Sequence, residues 1–266
     1  DGNAVPAIGS DLRIASRVTG APHRLAANRN TAFIGSLVLG LGFTLTPDEA
    51  DEMIAADPRN TEVIFPYLNG RDLNSSPTRE ASRWIINFFD WPEQRAANYP
   101  LPYHRIERLV KPERARNKRR VRREQWWKYA EQAKGLYTAI ADLRRVIGIA
   151  LTSNTMQPAL IDMPIVLDQT IVVFASGQEA LLGLLSSGIH GEWARRYASS
   201  LETRVRYTPS DVFETFPLPD DWASLSAWGL AMESARNAVM SGRGLGLTAA
   251  YNLVKDRRTD DPDVQA

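Results

Sequence analysis

The spacing of hydrophobic positions changes repeatedly along this 266-residue chain. Residues 1–30 are small, polar and aperiodic, which predicts a linker or the trailing edge of a preceding domain. From Thr31 to Leu45, the residues Phe33, Ile34, Leu37, Val38, Leu39, Leu41 and Phe43 are interleaved with Gly35, Gly40 and Gly42, the pattern of a buried strand with bends. Thr46 as cap, Pro47 in the first turn and Glu49 three residues after the cap start a helix that Asp57-Pro58 closes. Val63-Ile64-Phe65 and Trp84 to Phe89 predict strands, separated by the turn-rich runs Asn69-Gly70-Arg71-Asp72 and Asn74-Ser75-Ser76-Pro77. A short helix over Pro92–Tyr99 precedes another from about Tyr103, with Ile106, Leu109 and Val110 on one face, which Pro112 kinks or restarts. The stretch Glu113–Arg123 is almost wholly polar, a solvated or partner-facing helix.

After Trp126-Trp127 the period shortens to that of strands: Val146–Leu151, Ala159–Ile161, Ile165–Leu167 and Thr170–Ala175 are β-branched runs broken by short turns. Leu182, Leu185, Ile189, Trp193 and Tyr197 then recur every three or four residues, predicting one amphipathic helix packed on that sheet. A strand over Leu201–Tyr207 leads to the proline-marked boundary Phe216-Pro217-Leu218-Pro219. Beyond it Leu225, Trp228, Met232, Ala235 and Val239 predict a helix stopped by Gly242, and the tail from Arg257 is expected to fray. The class expected is α+β (mixed): a central β-sheet flanked by helices, followed by a smaller all-α C-terminal segment. The divisions fall at 1–30 (linker), 31–219 (main domain) and 220–266 (partial helical domain).

Composition excludes several classes. No apolar run approaches the roughly 18–20 residues of a membrane span, so no membrane partner is expected. The absence of Cys removes disulfides, thiolate metal sites and a Cys nucleophile. The formal charge of +1 conceals a strong local imbalance: residues 104–128 hold 11 Lys and Arg against 3 acidic residues, a net +8. Arg114, Arg116, Lys118, Arg119, Arg120, Arg122, Arg123 and Lys128 spread around a predicted helix, where neighbouring like charges repel unless an anion offsets them. A nucleic-acid backbone is one such anion; an acidic protein surface is the other. Trp126, Trp127 and Tyr129 fit a packed hinge better than a base-stacking platform.

No catalytic motif is present: no Walker loop, no Gly-x-Ser-x-Gly, no His-Glu-x-x-His. His23, His104 and His190 are far apart and lack zinc-type partners, so no metal is expected. Gly40-Leu41-Gly42 faintly echoes a nucleotide loop, and a bent strand explains it better. A sharper signal is Leu201-Glu202-Thr203-Arg204-Val205-Arg206-Tyr207. On a single strand Glu202, Arg204 and Arg206 share one face and Leu201, Thr203, Val205 and Tyr207 the other. Glu and Arg two residues apart can read a base pair, the carboxylate accepting from cytosine N4 and the guanidinium donating to guanine O6 and N7. A surface ion pair is the alternative reading. The polar loop Ser153, Asn154, Thr155 and Gln157 can either meet base edges or serve as an ordinary turn.

These segments are similar to known ones. Phe65-Pro66-Tyr67-Leu68-Asn69-Gly70-Arg71-Asp72-Leu73-Asn74, then Trp84 to Pro92, Leu185-Ser186-Ser187-Gly188-Ile189-His190 through Trp193, and Arg206-Tyr207-Thr208-Pro209-Ser210-Asp211 with Phe213-Glu214-Thr215-Phe216-Pro217 resemble, in order, the part that follows the catalytic domain in MmeI-like adenine-N6 DNA methyltransferases. The resemblance covers roughly residues 30–255 and implies a DNA target recognition domain ending near Pro219. The family's Phe-x-Gly-x-Gly loop for S-adenosylmethionine and its Asn-Pro-Pro-Tyr/Phe motif have no counterpart here. The resemblance therefore implies a non-catalytic piece of a longer restriction-modification or phage-defence enzyme, cytoplasmic, whose S-adenosylmethionine belongs to a separate methyltransferase domain. It also implies base reading by Glu202, Arg204 and Arg206, and less directly by Gln169 and Thr170. Duplex DNA is the partner expected, with Asn154 a further base reader and Arg116, Lys118, Arg119, Arg120, Arg122, Arg123 and Lys128 on phosphates. The competing expectation is a protein-interaction module docking on the catalytic domain or an acidic partner.

Overall fold

The capping chemistry at Thr46 is realised in full. In the computed structural model, which describes residues 22–201, 204–256 and 261–265, Glu49 N donates to Thr46 Oγ1 and Thr46 N donates back to Glu49 Oε2, opening the helix Pro47–Ala56. This helix packs on a four-stranded sheet ordered Thr44–Leu45, Arg83–Ile86, Ile64–Leu68, Val166–Leu167, whose last pair is parallel. A second, antiparallel sheet runs Ala32–Ile34, Ile171–Phe174, Arg145–Ala150, Ala159–Asp162. A third sets Arg204–Arg206 between Ser199–Leu201 and Thr152–Ser153. Because Thr152 follows Ala150 by two residues, the third sheet grows out of the end of the second. The α+β class holds, with the expected strands divided among three sheets instead of one.

Local differences have local causes. Asn69 is not in a turn; its Oδ1 accepts from Arg71 N and Asp72 N and so caps a short helix, Gly70–Ser75. The expected single helix over 182–197 is two, Glu179–Ser186 and Gly188–Tyr197, because the Ser187 hydroxyl accepts from His190 N and starts the second. Ile189 is consequently exposed. The strand 201–207 is also divided: Leu201 pairs with Arg204 across an antiparallel hairpin, while Glu202 and Thr203 lie outside the described residues. The basic helix becomes Lys111–Ala115 and Arg120–Glu124. The helix Ser226–Arg243 passes through Gly242 and ends at Gly244, whose φ of 63° supplies the left-handed cap. Of the expected linker, residues 1–21 are outside the described residues, whereas Leu25 N donates to Glu214 O and buried Asn28 donates to Phe213 O and Phe216 O.

Three buried apolar clusters fill the interior. Trp126, Trp127 and Tyr129 belong to the first, as a packed hinge requires. Met240, Leu247 and Ala250 of the C-terminal helices share the third with Leu68, Leu73, Val146 and Ile171. The helix Ser226–Arg243 thus closes over the sheets, and Gly229 lies against Gly183 with a would-be Cβ contact of 3.2 Å. None of the helices among the described residues is long and apolar enough to cross a membrane.

Candidate nucleic-acid interface

Strands of all three sheets and the loops beside them enclose an open cleft of about 750 Å³. Its lining comes from segments far apart in sequence. The Gly70–Ser75 helix contributes Arg71, an inner strand of the first sheet its first residue Arg83, the turn after Thr152–Ser153 Asn154, and the strand Arg204–Arg206 its Arg204. The floor is a fixed hydrogen-bond network. Thr170 Oγ1 donates to Asp168 Oδ1 (2.5 Å) and accepts from Gly70 N (2.8 Å), and the Tyr67 hydroxyl donates to Asp168 Oδ2. Burial, then the hydrogen bond to Asp168, push the Tyr67 phenol far above its ordinary pKa, so it remains a donor. Gly70 is required there: a Cβ would lie 2.8 Å from Thr170 O and 3.3 Å from Ala150 Cβ.

Arg204 is aimed by the core beneath it. Its strand is hydrogen-bonded on both sides, and Val205 turns inward against the second apolar cluster, so Arg204 and Arg206 face outward together. The next residue, Tyr207, is fully buried, and its hydroxyl lies 3.0 Å from His190 Nε2 while His190 Nδ1 lies 2.9 Å from Leu185 O. Trp193 Nε1 donates to Val212 O and Thr215 Oγ1. The two motifs Ser-Gly-Ile-His and Arg-Tyr-Thr-Pro are therefore each other's packing partners, a scaffold under the hairpin.

Burial pushes His190 down to about 4 from an ordinary value of 6.5, so the ring is neutral in the fold. The unfolded chain takes up a proton below pH 6.5 and the folded one only near pH 4. Stability is thus full above pH 6.5 and is lost as pH falls toward 4, by a limit of about 3 kcal/mol from this group. Urea midpoints measured between pH 7 and 4 should fall for the native chain, and His190→Gln should flatten that interval. An unchanged slope in the variant would show that other groups set the acid response.

The predicted base readers divide by position. Asn154, Thr170 and Arg204 line the cleft. Arg206 lies one strand repeat beyond Arg204, and Gln169 is exposed beside the floor; Glu202 is outside the described residues. The Thr170 hydroxyl proton is committed to Asp168, which leaves that oxygen only an acceptor role. Ser153, Thr155 and Gln157 bond within their own turn, as the Ser153 hydroxyl accepts from Thr155 N and Met156 N and Gln157 Nε2 donates to Thr155 O. Asn154 alone of that loop is exposed. Arg71 and Arg83 are cleft residues that the sequence pattern does not single out. Both are exposed and, among the described residues, neither is within 4 Å of a carboxylate. Their one sequence signal is an Arg within a predicted turn and another just ahead of a predicted strand.

The basic segment adjoins the cleft without lining it. Arg116, Lys118, Arg119, Arg120 and Arg123 are exposed. Lys128 and Arg122 are largely covered and already paired, Lys128 with Asp90 at 2.7 Å and Arg122 near Glu131 at 3.9 Å. Hydrogen bonds from Lys128 and Lys134 hold the Asp90 carboxyl below its usual range. Arg114 is fully buried, its guanidinium donating to Val38 O and Leu39 O, and so ties the basic segment to the loop at the cleft's edge.

No curated protein matches the chain. A solved structure described as the Type IIL restriction-modification enzyme MmeI in complex with DNA shares its fold, with a TM-score of 0.70 at 20% identity. That likeness covers 98% of this chain and 34% of the other, so the chain spans about a third of that enzyme's length. The family model of the MmeI target recognition domain matches residues 23–220, which include all the residues lining the cleft except Thr248 at its far edge. The chain belongs to the MmeI target recognition domain family.

Proposed function

We propose that this chain reads the sequence of double-stranded DNA in the cleft, on behalf of an adenine-N6 methyltransferase domain outside it. The observation that carries the reading is the convergence of Arg71, Arg83, Arg204 and Asn154 on one open cleft over a rigid floor. Guanidinium groups suit guanine O6 and N7, and an Asn amide suits adenine N6 and N7. Arg206, Gln169 and Glu202 extend the readout along the groove, with Thr170 accepting from a base amino group. Arg116, Lys118, Arg119, Arg120 and Arg123 hold phosphates, which fixes register without specifying sequence. The methyltransferase domain binds S-adenosylmethionine and receives the adenine flipped out of the stack. Such an enzyme works in the bacterial cytoplasm, in restriction-modification or phage defence.

A second reading has one observation in its favour. Val121 is 62% exposed in the middle of the basic helix Arg120–Glu124, as a surface docking on the catalytic domain would need. Replacing Arg116, Lys118, Arg119 and Arg123 together with alanine separates the two. DNA reading requires weaker binding to all duplexes alike, with the slope of log affinity against log salt reduced by roughly 1 for each phosphate no longer neutralised. An unaltered slope would assign this surface to protein.

A further inference from the structure

The loop Val38–Phe43 at the rim of the cleft is fastened from beneath and bare on top. Leu39 holds a φ of 48° and Gly40 a φ of 120°, left-handed conformations that a leucine adopts only when its surroundings impose it. Two arginines impose it here. Buried Arg114 donates to Val38 O and Leu39 O at 2.9 and 2.6 Å. Arg105, itself held by Glu49, donates to Gly42 O at 3.3 Å and Thr44 O at 3.1 Å. Thr44 Oγ1 donates to Leu41 O, Phe43 N donates to Gly40 O, and the Phe43 ring is buried edge-on to Tyr129. Below Gly42 there is no room to retract, since a Cβ there would fall 2.6 Å from Leu109 Cβ.

All of this fixes one outward side chain. Leu41 is 84% exposed, more than any other large hydrophobic residue described. An isolated exposed leucine is ordinary on a mobile surface; one held out on an anchored, strained loop is not accounted for by folding. Its neighbours give the occupant. Leu39, Gly40 and Leu41 line the same cleft as Arg71, Arg83 and Arg204, and the basic segment is joined to the loop through Arg114. A polyanion that meets this cationic rim and receives an apolar wedge from it is a duplex whose base pairs can be parted.

We propose that Leu41 is a wedge that enters a base step of the bound duplex, unstacking it and bending the DNA around the cleft. The proposal rests on the DNA-reading role above. The rigidity of the loop matters to it, because a side chain that must replace stacking contacts works only if the backbone behind it cannot yield.

The test uses the 266-residue chain and a duplex enriched from random sequence by binding to it, with 2-aminopurine placed in turn at each position and a fluorophore pair on the two ends. Binding of the native chain should raise 2-aminopurine emission several-fold at one step and bring the ends closer. Leu41→Ala should abolish both signals and weaken binding about tenfold with an unchanged salt slope, and Leu41→Phe should restore them. Emission unchanged at every step, or an alanine variant that behaves as the native chain, overturns the wedge while leaving sequence reading intact. An alanine variant that bends DNA normally but binds the catalytic domain less well overturns it too, and makes Leu41 a protein contact. Failure to enrich any sequence overturns both the reading and the wedge.

Discussion

Replacing Arg204 with alanine is expected to weaken binding to the preferred duplex by about 1–3 kcal/mol, roughly 5- to 150-fold, and to erase discrimination at one base pair. Binding to unrelated duplexes should stay within about twofold, since a base contact contributes little to affinity that depends on phosphates. The expectation follows from how the side chain is held. Its strand is paired on both edges and half-buried Val205 packs against the second apolar cluster, so the backbone that carries the guanidinium is fixed before the target arrives. Arg204→Lys keeps the charge and loses the planar fork, and should behave nearly as the alanine variant toward sequence. Competition binding against a panel of single-position variants of the duplex measures this. An equal loss on preferred and unrelated duplexes would make Arg204 a phosphate contact instead.

The largest effect on stability is expected at Glu233, which lies in the helix Ser226–Arg243. It is 7% exposed and sits between two guanidinium groups, 3.0 Å from Arg79 Nη1 on one side and hydrogen-bonded by Arg236 on the other. Arg236 also donates to Pro158 O, and Arg79 and Glu233 both bond to Asn237. The cluster therefore joins the distant segments at Arg79 and Pro158 to the helix Ser226–Arg243. Glu233→Ala leaves two largely buried cations facing each other, a change that costs about 3–5 kcal/mol and lowers the melting temperature by about 10 °C in a chain of this size. Glu233→Gln keeps the shape and one of the two acceptor oxygens while losing the charge, and should fall between. A decrease under about 1 kcal/mol for the alanine variant would mean that the helix is not fastened there.

The sequence discloses what depends on neighbouring residues and conceals what depends on distant ones. Thr46 and Glu49 are three residues apart, and their capping box is legible directly. The Trp126-Trp127-Tyr129 hinge is legible because bulky aromatics have few places to go except the core. The pairing of Leu201 with Arg204 is hidden because the alternation of polar and apolar residues satisfies a straight strand equally well; only the antiparallel register of Ser199–Leu201 on Arg204–Arg206 distinguishes them. Asn69 reads as a turn residue because a turn and a capped helix begin with the same bond. Arg114 stands among solvated arginines in sequence, and only the fold shows it buried under Val38 and Leu39. Arg71 and Arg83 cannot be joined to Arg204 without the sheets that bring them together.

The exposed polar residues of the cleft stand at the ends of strands or just beyond them, close in sequence to buried ones. Ala150 is buried and Asn154 four residues later is exposed; Tyr207 is buried and Arg204 three residues earlier is exposed. A mutation at exposed Arg71, Arg83, Asn154 or Arg204 therefore removes no core packing, unlike one at buried Tyr67 or Ala150 in the same cleft. If the cleft reads DNA as proposed, these side chains can be exchanged for others without rebuilding the scaffold that carries them.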